Sequence, residues 1–140
     1  MRNTIVSLLF ALSISAMIWS CQDPAAHEQA NYYSNGMRIY KASCQTCHGE
    51  KGEGLGSLTP PLTDTVFMKQ NKELLSCIIK NGMDSTIVVN GKEYSEKMKG
   101  FPEMTDFDIA QVIVYITNSF GNNQGMYNYN RVAIDLQNCK

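Results

Sequence analysis

Helical periodicity dominates the chain from about residue 31 onward. Over residues 31–47, tyrosine, methionine and cysteine side chains recur at steps of four, three, four and three, which predicts one face of a helix. These side chains are Tyr33, Met37, Tyr40, Cys44 and Cys47. A second helix is predicted over residues 72–80, where leucine and isoleucine pairs form an apolar face between a cap at Asn71 and a stop at Gly82. A short helical turn near residues 65–68 is predicted to precede it.

Two segments interrupt the helical pattern. Residues 49–62 hold four glycines and two prolines, which excludes regular structure and is typical of a loop that wraps around another group. In residues 86–94, β-branched side chains lead into Asn90 and Gly91. Because an Asn-Gly pair favours the tight turn between two antiparallel strands, we predict a small β-hairpin there.

The last helical pattern begins at Thr105. Apolar side chains return at helical spacing as far as Phe120, and Asp108 stands three residues after Thr105, as in an acidic form of the capping box. Residues 122–140 are predicted to form a C-terminal tail with one last helical turn around residues 132–136.

The amino terminus has the composition of an export signal. Arg2 is followed by an apolar run over residues 5–19, which is short for a membrane span but suits a signal peptide. The run ends in Ile-Trp-Ser-Cys at Cys21, which resembles a bacterial lipobox. We predict that residues 1–20 are a lipoprotein-type signal peptide, that Cys21 carries the lipid, and that residues 21–30 form an irregular polar tether. The alternative is an uncleaved anchor, or cleavage at another position.

Composition and charge narrow the classes of function. The 140 residues are 44% hydrophobic and 18% charged, as in a soluble globular domain, and the net charge of -1 gives no sign of a nucleic-acid partner. An export signal places the domain on the periplasmic side of a bacterial membrane. Three short helices around a long loop would give a domain of about ninety residues only a thin core. A large apolar cofactor buried among them would supply what is missing.

Cysteine and histidine stand together in CQTCHG at residues 44–49. Cys-x-x-Cys-His is the attachment signature of c-type haem. Cys44 and Cys47 would lie one helical turn apart and reach two vinyl groups on one porphyrin edge, while His48 would point Nε2 at the iron. Two alternatives compete. A structural zinc site needs a fourth ligand from outside the motif, and a redox dithiol needs a βαβ context, neither of which the sequence displays clearly.

The haem motif stands within a longer pattern of residues. That pattern contains Gly36, Ile39 and Tyr40; Pro60, Pro61 and Leu62; Met98, Phe101 and Pro102; Thr105, Asp106 and Tyr115; and Asn118, Ser119, Phe120 and Gly121. Together with the motif, it resembles the class I monohaem c-type cytochromes over roughly residues 33–121. The resemblance implies an all-α cytochrome c fold over residues 31–121. Three to four short helices would wrap around one covalently attached haem, with the hairpin near residues 86–94 as an insertion.

The resemblance also implies roles for individual residues. Members of this family hold haem through both motif cysteines and use the motif histidine as an axial iron ligand, which implies these roles for Cys44, Cys47 and His48. They hold that imidazole through the backbone carbonyl of a proline. We expect Pro60 in this role, with Pro61 as the alternative.

Further expectations concern the helix crossing and the sixth iron ligand. The family's glycine–aromatic crossing maps to Gly36 and Tyr40 against Tyr115, and we expect Tyr40 to contact the haem as well. Met98 occupies the place of the family's ligand methionine, and Met104 is the alternative ligand, otherwise a core residue. The remaining methionines of the domain are interpreted as core residues: Met37, Met68 and Met83.

Cys77 and Cys139 remain once Cys21 and the motif cysteines are assigned. Because exported proteins form disulfides, we predict a bond between them that pins the tail of residues 122–140 to the second helix. The alternative is two unrelated thiols.

The predicted function is that of a one-electron carrier and not of an enzyme, because an iron with both axial positions filled has no place for substrate. We expect redox partner proteins, a membrane reached through the lipid, no nucleic acid, and a monomeric state. One alternative is an electron-transfer subunit of a larger dehydrogenase or reductase. The other is a haem-based sensor or binding protein for small gases.

Overall fold

The computed structural model describes residues 4–6, 10 and 23–139. Within residues 23–139 the chain forms six helices: α1 (Pro24–Ser43), α2 (Gln45–His48), α3 (Thr65–Gln70), α4 (Leu74–Asn81), α5 (Asp106–Ile116) and α6 (Tyr129–Gln137). Four short strands accompany them: β1 (Gly82–Met83), β2 (Ile87–Val89), β3 (Lys92–Tyr94) and β4 (Met98–Lys99). The mostly helical fold class is confirmed, with more helices than the three to four expected.

The amino-terminal predictions fall largely outside the described residues. The signal peptide at residues 1–20 is described only at residues 4–6 and 10, and Cys21 lies outside the description. Among the described residues, no helix is both long enough and apolar enough to cross a membrane.

Helix α1 begins earlier than the sequence pattern indicates. Asp23 Oδ1 accepts a hydrogen bond of 3.0 Å from the backbone N–H of Ala25, and Pro24 stands at the first helical position. Asp followed by Pro is a strong start signal, because the carboxylate accepts from a free N–H and the proline has none to lose. Residues 24–30 are therefore helical and largely exposed, and the prediction of irregular structure there is wrong.

The crossing of α1 and α5 is the main contact between helices. A Cβ atom added to Gly36 would lie 1.9 Å from the carbonyl oxygen of Gln111 and 2.9 Å from Cβ of Tyr115. The ring centroids of Tyr40 and Tyr115 are 5.2 Å apart. The predicted glycine–aromatic crossing is confirmed, and the glycine is required because the two backbones touch.

Helix α5 is the central element of the core. All residues from 109 to 117 are buried. Its capping box is present, with the N–H of Asp108 donating to Thr105 Oγ1 at 3.2 Å and the N–H of Thr105 donating to Asp108 Oδ2 at 3.0 Å. The acidic capping box predicted from the sequence is confirmed, and it fixes where the buried helix starts.

The region before α4 differs in detail from the prediction. The short helix α3 is present, and Asp64 Oδ1 caps it by accepting from the N–H groups of Val66 and Phe67, each at 3.0 Å. Asn71 ends α3 instead of capping α4, whose N-cap is Glu73. Helix α4 therefore begins at Leu74, two residues later than a cap at Asn71 would place its start.

The strands form two separate antiparallel pairs. Strands β2 and β3 make the predicted hairpin, and both Asn90 (φ 50°) and Gly91 (φ 72°) adopt the left-handed conformation that a two-residue turn requires. Strands β1 and β4 pair with Gly82 opposite Lys99 and Met83 opposite Met98. This second pair was not predicted, because two-residue strands are too short to show a period.

The C-terminal segment is more ordered than a tail. Helix α6 packs against α4 and α5, and Cys77 and Cys139 are joined at an S–S distance of 2.05 Å. The buried carboxylate of Asp135 accepts hydrogen bonds from the hydroxyl of Tyr127 and, at 3.3 Å, from that of Ser76. The prediction of a tail with one helical turn therefore understated this segment, because its partners lie on distant parts of the chain.

We expect Gly36→Ala to lower the free energy of unfolding by about 1–3 kcal/mol, since the added methyl group would force α1 away from α5. Denaturant unfolding of the haem-containing protein measures this. Ser34→Ala, at an exposed position of the same helix, is the matched control and should change stability by less than about 0.5 kcal/mol. Equal effects of the two substitutions would contradict the proposed close contact.

Candidate cofactor site

An apolar cleft lies between α1, α4, α5 and the loop that follows α2. The cleft is partly open to solvent, and most of the side chains that line it are apolar. Its walls include Leu75, Ile78 and Ile79 of α4, Val112 and Ile116 of α5, and Ile87 and Val89 of the hairpin. Walls of this kind fit an occupant that is apolar over most of its surface.

The two motif cysteines are one helical turn apart. The N–H groups of Cys47 and His48 donate to the carbonyl oxygen of Cys44 at 3.1 and 3.0 Å, so the motif is wound as a helix. Residues three apart in such a turn lie on the same side. Cys44 is half-buried and borders the cleft, and burial raises the pKa of its thiol to about 11, with a smaller contribution from Cys47. Cys47 is exposed and is not among the described residues that line the cleft.

His48 is held by the residue that the resemblance suggested. Its Nδ1 lies 3.2 Å from the carbonyl oxygen of Pro60, and both residues line the cleft. A carbonyl can only accept, so Nδ1 carries the proton and Nε2 keeps the lone pair that binds a metal. Burial lowers the pKa of His48, and the Pro60 contact raises it by less. Both the tautomer and the neutral state therefore suit metal ligation.

The glycine-rich loop brings Pro60 to His48 through contacts between backbones. The N–H of Gly54 donates to the carbonyl oxygen of His48 at 2.8 Å, and the N–H of Leu62 donates to that of Gly52 at 2.8 Å. A Cβ atom at Gly54 would lie 2.4 Å from the carbonyl oxygen of Thr59. The chain therefore folds back tightly enough to place Pro60 beside the motif.

Tyr40 connects the helix crossing with the motif. Its ring is fully buried and lines the cleft, and its hydroxyl donates to the carbonyl oxygen of Gly49 at 2.7 Å. Burial raises the pKa of this hydroxyl well above its usual range, so it stays protonated and keeps donating. Tyr40 thus fixes the end of α2 relative to α1.

The structure separates the two methionines considered for the sixth ligand. Met98 is half-buried on β4 and lines the cleft. Met104 packs in the hydrophobic core, and its carbonyl oxygen accepts from Lys80 Nζ at 2.6 Å. Met83, interpreted from the sequence as a core residue, also lines the cleft. Its position follows from the β1–β4 pairing, for which the sequence carried no signal.

The zinc alternative loses support from the disulfide. A zinc site in this domain would need a ligand from outside the motif, and Cys77 and Cys139 are the cysteines there that could supply it. They are bonded to each other. The motif cysteines are not in a disulfide, and Cys44, His48 and Met98 border the apolar cleft, which fits haem instead.

Comparisons with known proteins agree with this chemistry. The Cys-x-x-Cys-His motif beside an apolar cleft is typical of a c-type cytochrome, and residues 31–116 match the family model described as cytochrome c oxidase, cbb3-type, subunit III. The match covers more than half of the chain, so the protein belongs to this family of c-type cytochromes. It carries covalently attached haem c with its iron, and the family acts in haem-based electron transfer.

Two curated relatives extend the comparison. Both are named cytochrome c-552 and come from Thermus thermophilus. Each is 29% identical over 92 residues, which is 63% of this chain. The aligned part spans 70% of one relative and 62% of the other.

Gly54→Ala and Gly56→Ala form a matched pair that tests the loop. Both glycines have left-handed φ angles (+74° and +57°), so both substitutions carry a strain of about 1–2 kcal/mol. Apart from its own chain neighbours, no atom of the described residues lies within 4 Å of a Cβ atom added to Gly56. At Gly54, the backbone of Thr59 occupies that space. Gly54→Ala should therefore lower the free energy of unfolding by about 1–3 kcal/mol more than Gly56→Ala, as measured by denaturant unfolding.

In the Gly54→Ala variant, the Nδ1 proton of His48 should also exchange faster with solvent, as measured by NMR. Identical behaviour of the two variants would contradict the role given to this loop.

Proposed function

We propose that this protein is a one-electron carrier with a single haem, bound through Cys44 and Cys47 and ligated axially by His48 and Met98. The observation that carries the proposal is the contact between His48 Nδ1 and the Pro60 carbonyl in the wall of an apolar cleft. Met98 borders the same cleft, which supports its role as the second axial ligand.

Each residue contributes a distinct part of the proposed site. Cys44 and Cys47 would hold the porphyrin through thioether bonds formed with its vinyl groups. His48 Nε2 would bind the iron, and the Pro60 carbonyl fixes the ring and makes the imidazole more basic. The Met98 sulfur is a soft ligand that favours the ferrous state and so raises the reduction potential.

When bound, the haem supplies a ferric–ferrous couple that takes up and releases one electron. The chain would keep this couple from reacting with substrates. His48 and Met98 as ligands would leave the iron no free position, and apolar side chains of the cleft, such as Ile79 and Val112, would exclude water from the haem. This supports the role of a carrier over that of an enzyme.

The proposed location rests on the sequence of the first 21 residues. Lipid on Cys21 would hold the domain at the periplasmic side of a bacterial membrane, beside redox partner proteins that the protein meets as a monomer. Helix α1 begins at Pro24, so a helix would follow the lipidated residue almost directly. The exposed first turns of that helix would then separate the haem domain from the membrane.

A second candidate function is that of an electron-transfer subunit in a larger oxidoreductase complex. The family description, which names a subunit of an oxidase, supports this candidate. Helix α6 lies beyond the matched range of residues 31–116 and adds a surface of its own. Purification from native membranes separates the two functions, since a free carrier elutes at its own mass and a subunit elutes with its complex.

The ligand assignment is tested by the weak long-wavelength sulfur-to-iron absorption band of the ferric protein. We expect this band at neutral pH, and no spectral change when carbon monoxide meets the ferrous protein. Met98→His should abolish the band and lower the reduction potential by roughly 100 mV or more, since the identity of the axial ligands sets haem potentials over about 0.8 V. Met104→Leu is the control and should keep both properties. A wild-type protein without the band, or one that binds carbon monoxide readily, would favour gas binding over electron transfer.

A further inference from the structure

Met83 lies beside Met98 in the cleft, although the proposed ligation does not use it. The two residues are directly opposite each other in the antiparallel β1–β4 pair. Opposed residues of antiparallel strands point to the same face, with Cβ atoms about 4.5–5.5 Å apart. Both side chains are half-buried and both line the cleft.

Close backbone contact fixes this pairing on one side. Gly82 has a φ of +80°, and a Cβ atom there would lie 2.5 Å from the carbonyl oxygen of Met98. A Cβ atom at Gly100 would lie 2.5 Å from the carbonyl carbon of Asn81. A shift of one residue would bring a side chain into these positions, so the strands are held with Met83 facing Met98.

One ion pair and one further backbone hydrogen bond hold the two ends of the pairing. Asp84 and Lys97, the next pair in the same register, form an ion pair of 2.8 Å. Beyond the glycines, the N–H of Phe101 donates to the carbonyl oxygen of Ile79 at 2.9 Å. An exposed ion pair contributes little to stability by itself, but this one acts in the same register as the backbone contacts.

We propose that Met83 is a second thioether ligand of this site, which binds the iron when Met98 cannot. The inference rests on the proposed function, because it presupposes haem in the cleft. The exchange replaces one iron–sulfur bond by another, with no proton released and no change in oxidation state. Methionine has three rotatable side-chain bonds, so the sulfur of Met83 moves by rotation while the strand pairing stays intact.

Met68 is an alternative candidate for the substitute ligand, so the test includes a control for it. It also borders the cleft, but it lies on α3 and is only 1% exposed, packed within the core. Its sulfur is therefore less free to move than that of Met83, and it has no backbone pairing with Met98. Replacing Met68 should leave any substitute ligation unchanged.

The test uses the haem-containing protein with Met98→Leu, a substitution that removes the sulfur and keeps the apolar volume. We expect this variant to retain a sulfur-to-iron absorption band and to resist carbon monoxide. The double variant Met83→Leu/Met98→Leu should lose the band and bind carbon monoxide, while Met68→Leu/Met98→Leu should behave like Met98→Leu alone. Loss of the band in Met98→Leu, whether water or a lysine then binds the iron, would overturn the inference.

Two further measurements separate this inference from the proposed function. Wild-type protein without the band would overturn the His48–Met98 ligation itself. A wild-type band that Met83→Leu abolishes would make Met83 the primary ligand and overturn both statements. A wild-type band that Met98→Leu abolishes would overturn only the inference.

Oxidation by chloramine-T, followed by peptide mass spectrometry, provides a readout independent of the haem spectrum. A thioether sulfur bound to iron donates one of its two lone pairs to the metal and is shielded by it, so the oxidant attacks the sulfur more slowly. Met83 should therefore be oxidised more slowly in Met98→Leu than in Met98→His, where the introduced imidazole occupies the iron. Equal oxidation of Met83 in the two variants would overturn the inference.

Discussion

The hydrogen bond between His48 Nδ1 and the carbonyl oxygen of Pro60 fixes the path of the loop that follows α2. The two residues are twelve positions apart, and their contact at 3.2 Å closes the loop between them into one wall of an apolar cleft. The contact sets the tautomer of the imidazole, and it forms only if the backbones at Gly54 and Thr59 pass at close range. One hydrogen bond therefore links the path of the loop to the tautomer of His48, the proposed metal ligand.

The cofactor and the hydrophobic core are parts of the same structure. Helices α1 and α5 touch at Gly36, and the aromatic side chains next to this contact extend to the cleft through Tyr40. Leu75, Ile78 and Ile79 of α4 line the same space. Burial of apolar surface is the main driving force of folding, at about 25 cal/mol per Å². Haem bound in the cleft, as we propose, would extend this burial, so that stability and redox function would depend on the same side chains.

Local signals in the sequence predicted the parts of the structure that depend on neighbouring residues. These parts are the helical turn of the CQTCHG motif, the capping box at Thr105 and the turn at Asn90-Gly91. Each involves residues only a few positions apart, and each is present in the structure as expected. The first turns of α1 were missed because polar residues carry no apolar period. The β1–β4 pair and the contacts of α6 were missed because their partners lie far away in the chain. The position of Met83 in the cleft was missed for the same reason, since only the pairing with β4 places it there.

Covalent attachment of haem through Cys44 and Cys47 is the central claim, and extraction of the purified protein with acidic acetone tests it most directly. This solvent removes haem that is held only through its iron. We predict that the colour stays with the precipitated protein and that the peptide containing residues 44–48 carries the mass of one porphyrin. Colour that passes into the acetone, leaving both cysteines as free thiols, would contradict it.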